Sequence, residues 1–171
     1  MNNTPAWTIA RDAAAARSYD NLTGHLVTIT SSGEQGFLTS QFVLPGNRRV
    51  WLGGYQDTSA ADYSEPAGGW RWVTGEPFSY SNWNQSANPS LNQPNNYNCN
   101  PENYLETYSP PWSWNDVTLN PVLTYGLGEA LAGYVVEYES AVPEPSTFVL
   151  VGIGVGLPSS QQVSSCFSLS Q

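Results

Sequence analysis

Five oxygen-bearing side chains in the second half of the chain are spaced in a way that predicts a site for a hard cation. They are Gln93, Asn95, Glu102, Asn115 and Asp116. Ca²⁺ binds carboxylate, amide and carbonyl oxygens, and two carboxylates would neutralise one such ion. Pro94 lies between the two amides, and a cis bond between Gln93 and Pro94 would direct both to one side. The chain has no Cys and His set with the spacing of a zinc site, which argues against Zn²⁺.

An enzymatic alternative uses Glu102 with Glu106 as a carboxylate pair of the kind that hydrolyses glycosidic bonds. Residues four apart on a strand share a face but lie well separated, so we expect no enzyme and no catalytic residue. We expect Glu106 at the surface or beside the cation site. His25 is expected to have a structural role, because no Ser or Cys partner is near it in the sequence.

The charge distribution limits the partners. The net charge is −9, lysine is absent, and eight acidic residues but no cation follow Arg71. Nucleic acid binding needs Lys or Arg to displace counterions from phosphate, so a nucleic acid partner is excluded. Docking on anionic lipid is excluded for the same reason. An acidic half without counter-cations is compatible with a bound metal ion.

The elements that position these residues follow from local patterns. We expect a helix from Thr4-Pro5 to about Tyr19, with Trp7, Ala10 and Ala14 on one face, and a second capped by Ser31 or Ser32. Glu34 stands in the first turn of the second helix, whose buried face is expected to carry Phe37, Leu38 and Phe42. Strands are predicted at residues 25–29, 50–55, 104–108, 112–117 and 133–139. A loop at residues 56–101 is rich in Gly, Pro, Ser and Asn, yet it carries Trp70, Trp72, Phe78, Tyr80 and Trp83, so we expect it to be ordered and functional.

Together these patterns resemble a C-type lectin-like domain over about four fifths of the chain. The matching stretches are Trp7 with Ala10 and Ala14; residues 25–31 with Glu34, Phe37 and Leu38; Trp51-Leu52-Gly53-Gly54; Trp70-Arg71-Trp72; Asn82-Trp83; Gln93-Pro94-Asn95; Glu102; and Trp114-Asn115-Asp116. The resemblance implies an α+β fold with two helices, small antiparallel sheets and a long ordered loop that carries the site. It implies that Trp51, Trp70, Trp72 and Trp83 belong to the core. Trp112 has no core counterpart and is expected to be exposed near the site.

The same resemblance implies a function. In the family a Pro-containing segment, a downstream Glu and an Asn-Asp pair bind one Ca²⁺, and two neighbouring sugar hydroxyls complete its coordination. The implied ligands of both ion and sugar are Gln93, Asn95, Glu102, Asn115 and Asp116. Many members bind no metal and serve contacts with proteins, so a metal-free adhesion or matrix-interaction module remains the alternative.

The chain departs from the family in two ways. Gln93-Pro94-Asn95 combines Glu-Pro-Asn, which accompanies mannose-type sugars, with Gln-Pro-Asp, which accompanies galactose-type sugars, so the sequence does not name the sugar. The family disulfides are absent: Ala14 with Val136, and Tyr104 with Leu119, stand at their positions. We expect these residues to replace the bonds by packing, and Cys99 to be a free thiol.

The C-terminal segment suggests export. Residues 142–147 read Val-Pro-Glu-Pro-Ser-Thr and precede an apolar stretch at residues 148–157. This resembles the PEP-CTERM sorting signal of Gram-negative bacteria, which an exosortase-type transpeptidase processes. Pro158 interrupts the stretch, no basic residue follows, and the N-terminus lacks a signal peptide pattern. We therefore predict a lectin-like domain at residues 5–139 and a tail at 140–171, in an incomplete reading of an extracellular or cell-surface protein.

Overall fold

Two helices and eight strands make up the part of the chain that the computed structural model describes, residues 6–44, 48–108, 112–121, 131–139 and 150–155. The helices are α1 (Trp7–Ala15) and α2 (Ser32–Gln41). The strands are β1 (Ser18–Tyr19), β2 (Leu22–Leu26), β3 (Arg49–Gln56), β4 (Trp70–Trp72), β5 (Tyr104–Thr107), β6 (Trp114–Val117), β7 (Leu131–Tyr138) and β8 (Leu150–Val155). The predicted α+β class is confirmed. Neither helix is long and apolar enough to cross a bilayer.

The described strands form one mixed sheet, and this corrects the expectation of several small antiparallel sheets. The main order is β1-β2-β7-β3-β5-β6, with β4 added to β3 and β8 added to β7. β3 and β7 pair in parallel, with Trp51 beside Tyr134, whereas the other pairings are antiparallel. No local pattern encodes the parallel pairing, because it joins segments that are distant in the chain.

The first helix is shorter than predicted. The proposed cap at Thr4-Pro5 lies outside the described residues, and α1 ends at Ala15 rather than near Tyr19. The reason is a tight turn at Asp20 and Asn21, both at positive φ, which folds β1 back onto β2. Asn and Asp tolerate this left-handed backbone better than most side chains do. Trp7, Ala10 and Ala14 are buried as predicted.

The second helix begins where the sequence predicted. Ser31 accepts a hydrogen bond from the Glu34 amide at 3.2 Å, and Glu34 Oε2 accepts one from the Ser31 amide at 3.2 Å. This reciprocal capping box satisfies two of the helix's free backbone donors. Leu38 is buried and Phe42 packs against the core, but Phe37 is 39% exposed, so its predicted burial was wrong.

Close contact between β3 and its neighbours explains the two consecutive glycines of this strand. A Cβ on Gly54 would come within 2.6 Å of Leu105 Cδ2 on β5, and one on Gly53 within 2.7 Å of the Leu26 carbonyl oxygen. The predicted close approach of the backbone is therefore confirmed, and β5, which leads from Glu102 towards β6, lies tightly against β3.

The two residue pairs that stand at the positions of the family disulfides differ in how well they are packed. Ala14 and Val136 are both fully buried in one cluster with Trp7 and Trp51, so packing replaces the first bond as expected. In the second pair Tyr104 packs on this cluster, but Leu119 is 41% exposed. The expectation holds for the first pair and fails for Leu119.

The last described strand lies in the predicted tail, which was not expected to contribute to the sheet. β8 pairs antiparallel with β7 along its length, from Gly133 beside Val155 to Tyr138 beside Leu150. The Val-Pro-Glu-Pro-Ser-Thr segment itself lies outside the described residues.

Glu137 on β7 is a buried carboxyl, although it alternates along the strand with apolar residues. Its Oε2 accepts hydrogen bonds from the Thr28 amide at 2.8 Å and the Thr28 hydroxyl at 3.1 Å. His25 Nδ1 lies 3.9 Å from Glu137 Oε2. A carboxylate oxygen of Glu139 is also close, so that the polar atoms of these three residues lie within 4.8 Å of one another. Burial, with the negative charges of Glu139 and Glu34, raises the pKa of Glu137 to about 8, against the hydrogen bonds from Thr28, which lower it.

We expect Glu137→Gln to change the pH dependence of stability. A carboxyl whose pKa is raised by folding favours the folded state when protonated, so its contribution is lost as pH rises from about 4.5 to about 8. In metal-free buffer the variant should match the wild type near pH 4.5. At pH 7.5 it should be more stable, on the order of 3 kcal/mol, by urea denaturation. Asp12→Asn, at a side chain 68% exposed, is the control. Parallel pH profiles for wild type and Glu137→Gln would contradict the prediction.

Candidate functional site

Asp116 on β6 holds the turn that follows the Gln93-Pro94-Asn95 segment. Its carboxylate accepts the backbone amide of Asn95 at 3.0 and 2.9 Å and that of Asn96 at 2.9 Å. Asp116 is 1% exposed. The predicted cis bond between Gln93 and Pro94 is confirmed. The structure therefore brings two of the predicted ligand segments, residues 93–95 and Asp116, into direct contact.

Glu102 holds the next residue of the same turn. Its Oε2 accepts the Tyr97 amide at 2.6 Å, and its own amide donates to Asn96 Oδ1 at 3.2 Å. The side chain is 3% exposed. Each ionised carboxylate offers about four acceptor positions, so these bonds leave capacity on both groups for another ligand.

Two amide oxygens at this turn have no donor. Gln93 Oε1 and Asn95 Oδ1 are buried, and neither accepts a hydrogen bond from the residues that the structure describes. A buried acceptor without a partner costs about 1–3 kcal/mol, so a folded protein tends to satisfy it. Both belong to the predicted ligand set, and a hard cation would satisfy both at once.

Asn115 is directed elsewhere. Its Nδ2 donates to Glu106 Oε1 at 3.0 Å, across the β5–β6 register in which these two residues are partners. Successive side chains on a strand point to opposite faces, which separates Asn115 from its neighbour Asp116. Of the five predicted ligands, Asn115 is thus the one that the described contacts connect to Glu106 rather than to the turn.

Glu106 is not at the surface. It is fully buried and forms an ion pair with Arg49 at 2.7 Å, in addition to its bond to Asn115. Burial raises its pKa to about 7, against the opposing effect of Arg49. The expected surface position was therefore wrong, and the described contacts connect Glu106 to Arg49 and Asn115 rather than to the turn. A side chain with no exposure cannot reach a glycosidic bond, so the Glu102 and Glu106 pair is not arranged for hydrolysis.

The long loop is fixed to β6 just before the site. Asn84 donates its amide to the Trp114 carbonyl at 2.9 Å and accepts the Gln93 amide at 2.9 Å, while the Trp114 amide donates to Asn82 at 2.8 Å. Trp114 is fully buried and packs against Trp72, Phe78, Tyr80 and Trp83. The expectation of an ordered loop is confirmed for residues 56–101, which contain β4 and two 3-10 turns.

The tryptophans follow the prediction with one exception. Trp51, Trp70 and Trp72 are buried and Trp83 packs against the core, as expected. Trp112 was expected to be exposed near the site, but it is 4% exposed, and its indole N–H donates to the Phe42 carbonyl at 3.0 Å. Its backbone lies in the left-handed region, with φ of 64°, which the sequence does not reveal. Cys99 is a free, exposed thiol, as predicted.

Burial also sets the acidity of Asp116. It raises the pKa of this carboxyl to about 6, against the amide hydrogen bonds of Asn96 and Asn95, which lower it. The negative charge of Glu65 contributes a smaller part of this rise in pKa. A neighbouring cation favours the ionised form of a carboxyl, and the effect is large where burial disfavours that form.

Two residues that touch this turn were missed by sequence reasoning. Asn96 contacts Asp116 and Glu102, and Glu65 accepts a hydrogen bond from Asn96 Nδ2 at 2.7 Å. Asn96 follows the Gln-Pro-Asn segment directly, and that adjacency was an available signal. Glu65 lies about thirty residues earlier in the loop, where no spacing rule connects it to the site.

Comparison with protein families gives a match over most of this architecture. The model described as "Lectin C-type domain" matches residues 11–125, which include the turn, Glu102 and Asp116. The chain belongs to the C-type lectin domain family.

Individual relatives of this C-type lectin domain are distant. It is 36% identical over 74 residues to regenerating islet-derived protein 3-gamma of Mus musculus, covering 42% of this chain and 40% of that protein. It is 29% identical over 188 residues to halomucin of Haloquadratum walsbyi, covering 85% of this chain and 2% of that protein. The alignment with this chain thus spans about two fifths of the length of the mouse relative and a small part of halomucin.

A solved structure gives the same fold for this C-type lectin domain. The C-type lectin CEL-I from Cucumaria echinata superimposes with a TM-score of 0.52 at 23% identity, over 68% of this chain and 78% of that one. At this level of identity the similarity establishes the fold.

Proposed function

We propose that this C-type lectin domain binds carbohydrate through a Ca²⁺ ion held at the turn between residues 93 and 102. The observation that carries the proposal is the pair of buried, unpartnered oxygens, Gln93 Oε1 and Asn95 Oδ1, in a turn held by the carboxylates of Asp116 and Glu102. Amide and carboxylate oxygens are the donors that Ca²⁺ prefers. Membership of a lectin family supports the carbohydrate part of the proposal.

The chemistry of recognition follows from the donor set. When bound, Ca²⁺ would supply open coordination positions that two neighbouring hydroxyls of a sugar can occupy. The amides of Gln93 and Asn95 can donate to these hydroxyls, and the carboxylates of Glu102 and Asp116 can accept from them. Asn115 is the least supported of the five proposed ligands, because its amide is engaged by Glu106. No bond is broken, so we propose binding without catalysis.

A calorimetric titration tests the metal. Chelator-stripped protein titrated with Ca²⁺ at pH 7.5 should give one saturable binding event, and Gln93→Ala should weaken it because one of the unpartnered oxygens is removed. Asp12→Asn on α1 is the control. The absence of Ca²⁺ binding to the wild type would refute the proposed site.

A glycan array tests the sugar. Binding of exopolysaccharide or surface glycans should require Ca²⁺ and disappear with chelator. Binding that persists in chelator would favour the second candidate, a metal-free adhesion or matrix-interaction module. That candidate is supported by the turn itself, because Asp116 and Glu102 order residues 95–97 through direct hydrogen bonds.

The affinity for Ca²⁺ should depend on pH through Asp116. The ion needs the ionised carboxylate, and the pKa of Asp116 in the metal-free protein is about 6. Affinity should therefore be nearly constant above pH 7 and fall about tenfold per pH unit below 6. Titrations at pH 5, 6, 7 and 8 measure this. Equal affinity at pH 5 and pH 8 would contradict the assignment of Asp116 as a ligand.

Export remains part of the proposal. The Val-Pro-Glu-Pro-Ser-Thr segment at residues 142–147 supports an extracellular or cell-surface location reached by exosortase-type processing of the tail at 140–171, after a lectin domain at 5–139. Immunodetection of the protein in the cell fractions and medium of its native host tests this. We expect the protein at the cell surface or in the medium, and a protein confined to the cytoplasm would refute export.

A further inference from the structure

Asn96 links the Asp116 carboxylate to the backbone of Glu102. Its backbone amide donates to Asp116 Oδ2 at 2.9 Å, and its side-chain oxygen accepts the amide of Glu102 at 3.2 Å. The residue is in the left-handed conformation, with φ of 48°, which lets backbone and side chain reach these two partners. The orientation of the Asn96 side-chain amide therefore decides its contact with the Glu102 backbone, next to the main-chain amide that holds Asp116.

Glu65 determines that orientation. Its Oε2 accepts a hydrogen bond from Asn96 Nδ2 at 2.7 Å. A carboxylate only accepts, so the NH₂ group of Asn96 must face Glu65 and its oxygen must face the Glu102 amide. If the amide rotated by half a turn, it would oppose an oxygen to the Glu65 carboxylate and an NH₂ group to the Glu102 amide. Both contacts would then be repulsive.

The segment around Glu65 is itself anchored. Tyr63 donates its hydroxyl to Glu65 Oε1. Trp70 Nε1 donates to the Pro66 carbonyl at 3.1 Å, and Gln56 Nε2 donates to the Gly68 carbonyl at 2.7 Å. Trp70 is a core residue and Gln56 ends β3. Trp70 and Gln56 thus hold the backbone next to Glu65, and Tyr63 holds its exposed carboxylate.

We propose that Glu65 is a positioning residue for the cation site, acting through the side-chain amide of Asn96. The inference rests on the proposed Ca²⁺ function and adds a remote residue to it. Glu65 contributes a hydrogen-bond acceptor rather than a ligand charge. A glutamine at this position keeps an acceptor oxygen, whereas an alanine removes it.

Calcium titration of two variants separates these roles. Glu65→Ala should weaken Ca²⁺ binding by about tenfold, a typical effect for a residue that orients a ligand. Glu65→Gln should stay within about threefold of the wild type, and Asp12→Ala on α1 should be unchanged. Wild-type affinity in Glu65→Ala would overturn the proposal. Equal weakening in Glu65→Gln and Glu65→Ala would also overturn it, because the charge rather than the hydrogen bond would then be the contribution.

A metal-free measurement makes the inference independent of the proposed function. The backbone amides of Asn96 and Tyr97 donate to Asp116 and Glu102, so their hydrogen exchange reports on the order of the turn. In chelator, Glu65→Ala should speed exchange at both amides by about tenfold while β3 is unaffected, and Glu65→Gln should restore slow exchange. Unchanged exchange in Glu65→Ala would overturn the positioning role. If the wild type binds no Ca²⁺, the proposed function fails, and this experiment still decides whether Glu65 orders the turn.

Discussion

Asp116→Asn is expected to lower Ca²⁺ affinity by at least about a hundredfold at pH 7.5, because affinity at such sites follows the number of carboxylate ligands. Gln93 and Asn95 are neutral, so Asp116 carries half of the ligand charge in the predicted set. The asparagine oxygen can still accept an amide hydrogen from Asn95 or Asn96, so the turn should remain folded. The lower Ca²⁺ affinity should therefore result from the lost carboxylate charge and not from unfolding of the turn.

The measurement is a calcium titration beside thermal unfolding in chelator. Asp12→Asn changes the net charge equally at an exposed position and should bind as the wild type does. Metal-free Asp116→Asn should unfold within a few degrees of the wild type. An unchanged affinity in Asp116→Asn would exclude Asp116 as a ligand, and a collapsed melting temperature would indicate a structural role instead.

Trp114→Ala is expected to have the largest effect on stability, a loss of about 3–5 kcal/mol in the free energy of unfolding. Trp114 is fully buried, and its ring centroid lies 5.5 Å from that of Trp72 and 5.8 Å from that of Phe78. Its indole N–H donates to Gln35 Oε1 at 2.9 Å, so the truncation also leaves a buried acceptor on α2 without its partner. Typical domains have a free energy of unfolding of about 5–15 kcal/mol in total, so a large share of the protein's stability is at stake.

Urea denaturation in chelator measures this loss, with two comparisons. Trp114→Phe keeps an aromatic ring and loses mainly the bond to Gln35, for about 1–3 kcal/mol. Trp83→Ala removes a partly buried ring from the same cluster and should cost less than Trp114→Ala. A cost of Trp114→Ala below that of Trp83→Ala would show that Trp114 is not the centre of this cluster.

Features that depend on nearby residues were predictable from sequence. Ser31 and Glu34 form their capping box within four residues, and the glycines of β3 signal close packing wherever the strand lies. The proximity of Gln93-Pro94-Asn95 to Asp116 was predicted by a different route. These residues are distant in the chain, but they match a family motif with the same order and spacing. The predictions for the capping box and the glycines needed no knowledge of the tertiary structure.

Features that depend on distant partners were not predictable. Glu137 alternates like a surface residue, but its side chain points towards Thr28, more than a hundred residues earlier. A tryptophan can lie in the core or at the surface, so the sequence alone does not place Trp112. Its burial depends on its contact with Phe42, which is distant in the sequence. Glu65 contacts Asn96 because the loop folds back on itself, and no periodicity describes such a loop. In each case the deciding contact is made by the fold and not by the local pattern.

The parallel pairing of β3 with β7 bears on how fast the domain can form. Trp51 and Tyr134 lie about 80 residues apart along the chain, and a chain must lose loop entropy before such a contact stabilises it. High contact order of this kind slows folding into the millisecond-to-second range. The β5–β6 hairpin is local by comparison and can pair early. Asp116 would then meet its partners in the long loop before the sheet closes, and an ion captured at that stage would act on the folding rate as well as on the final stability.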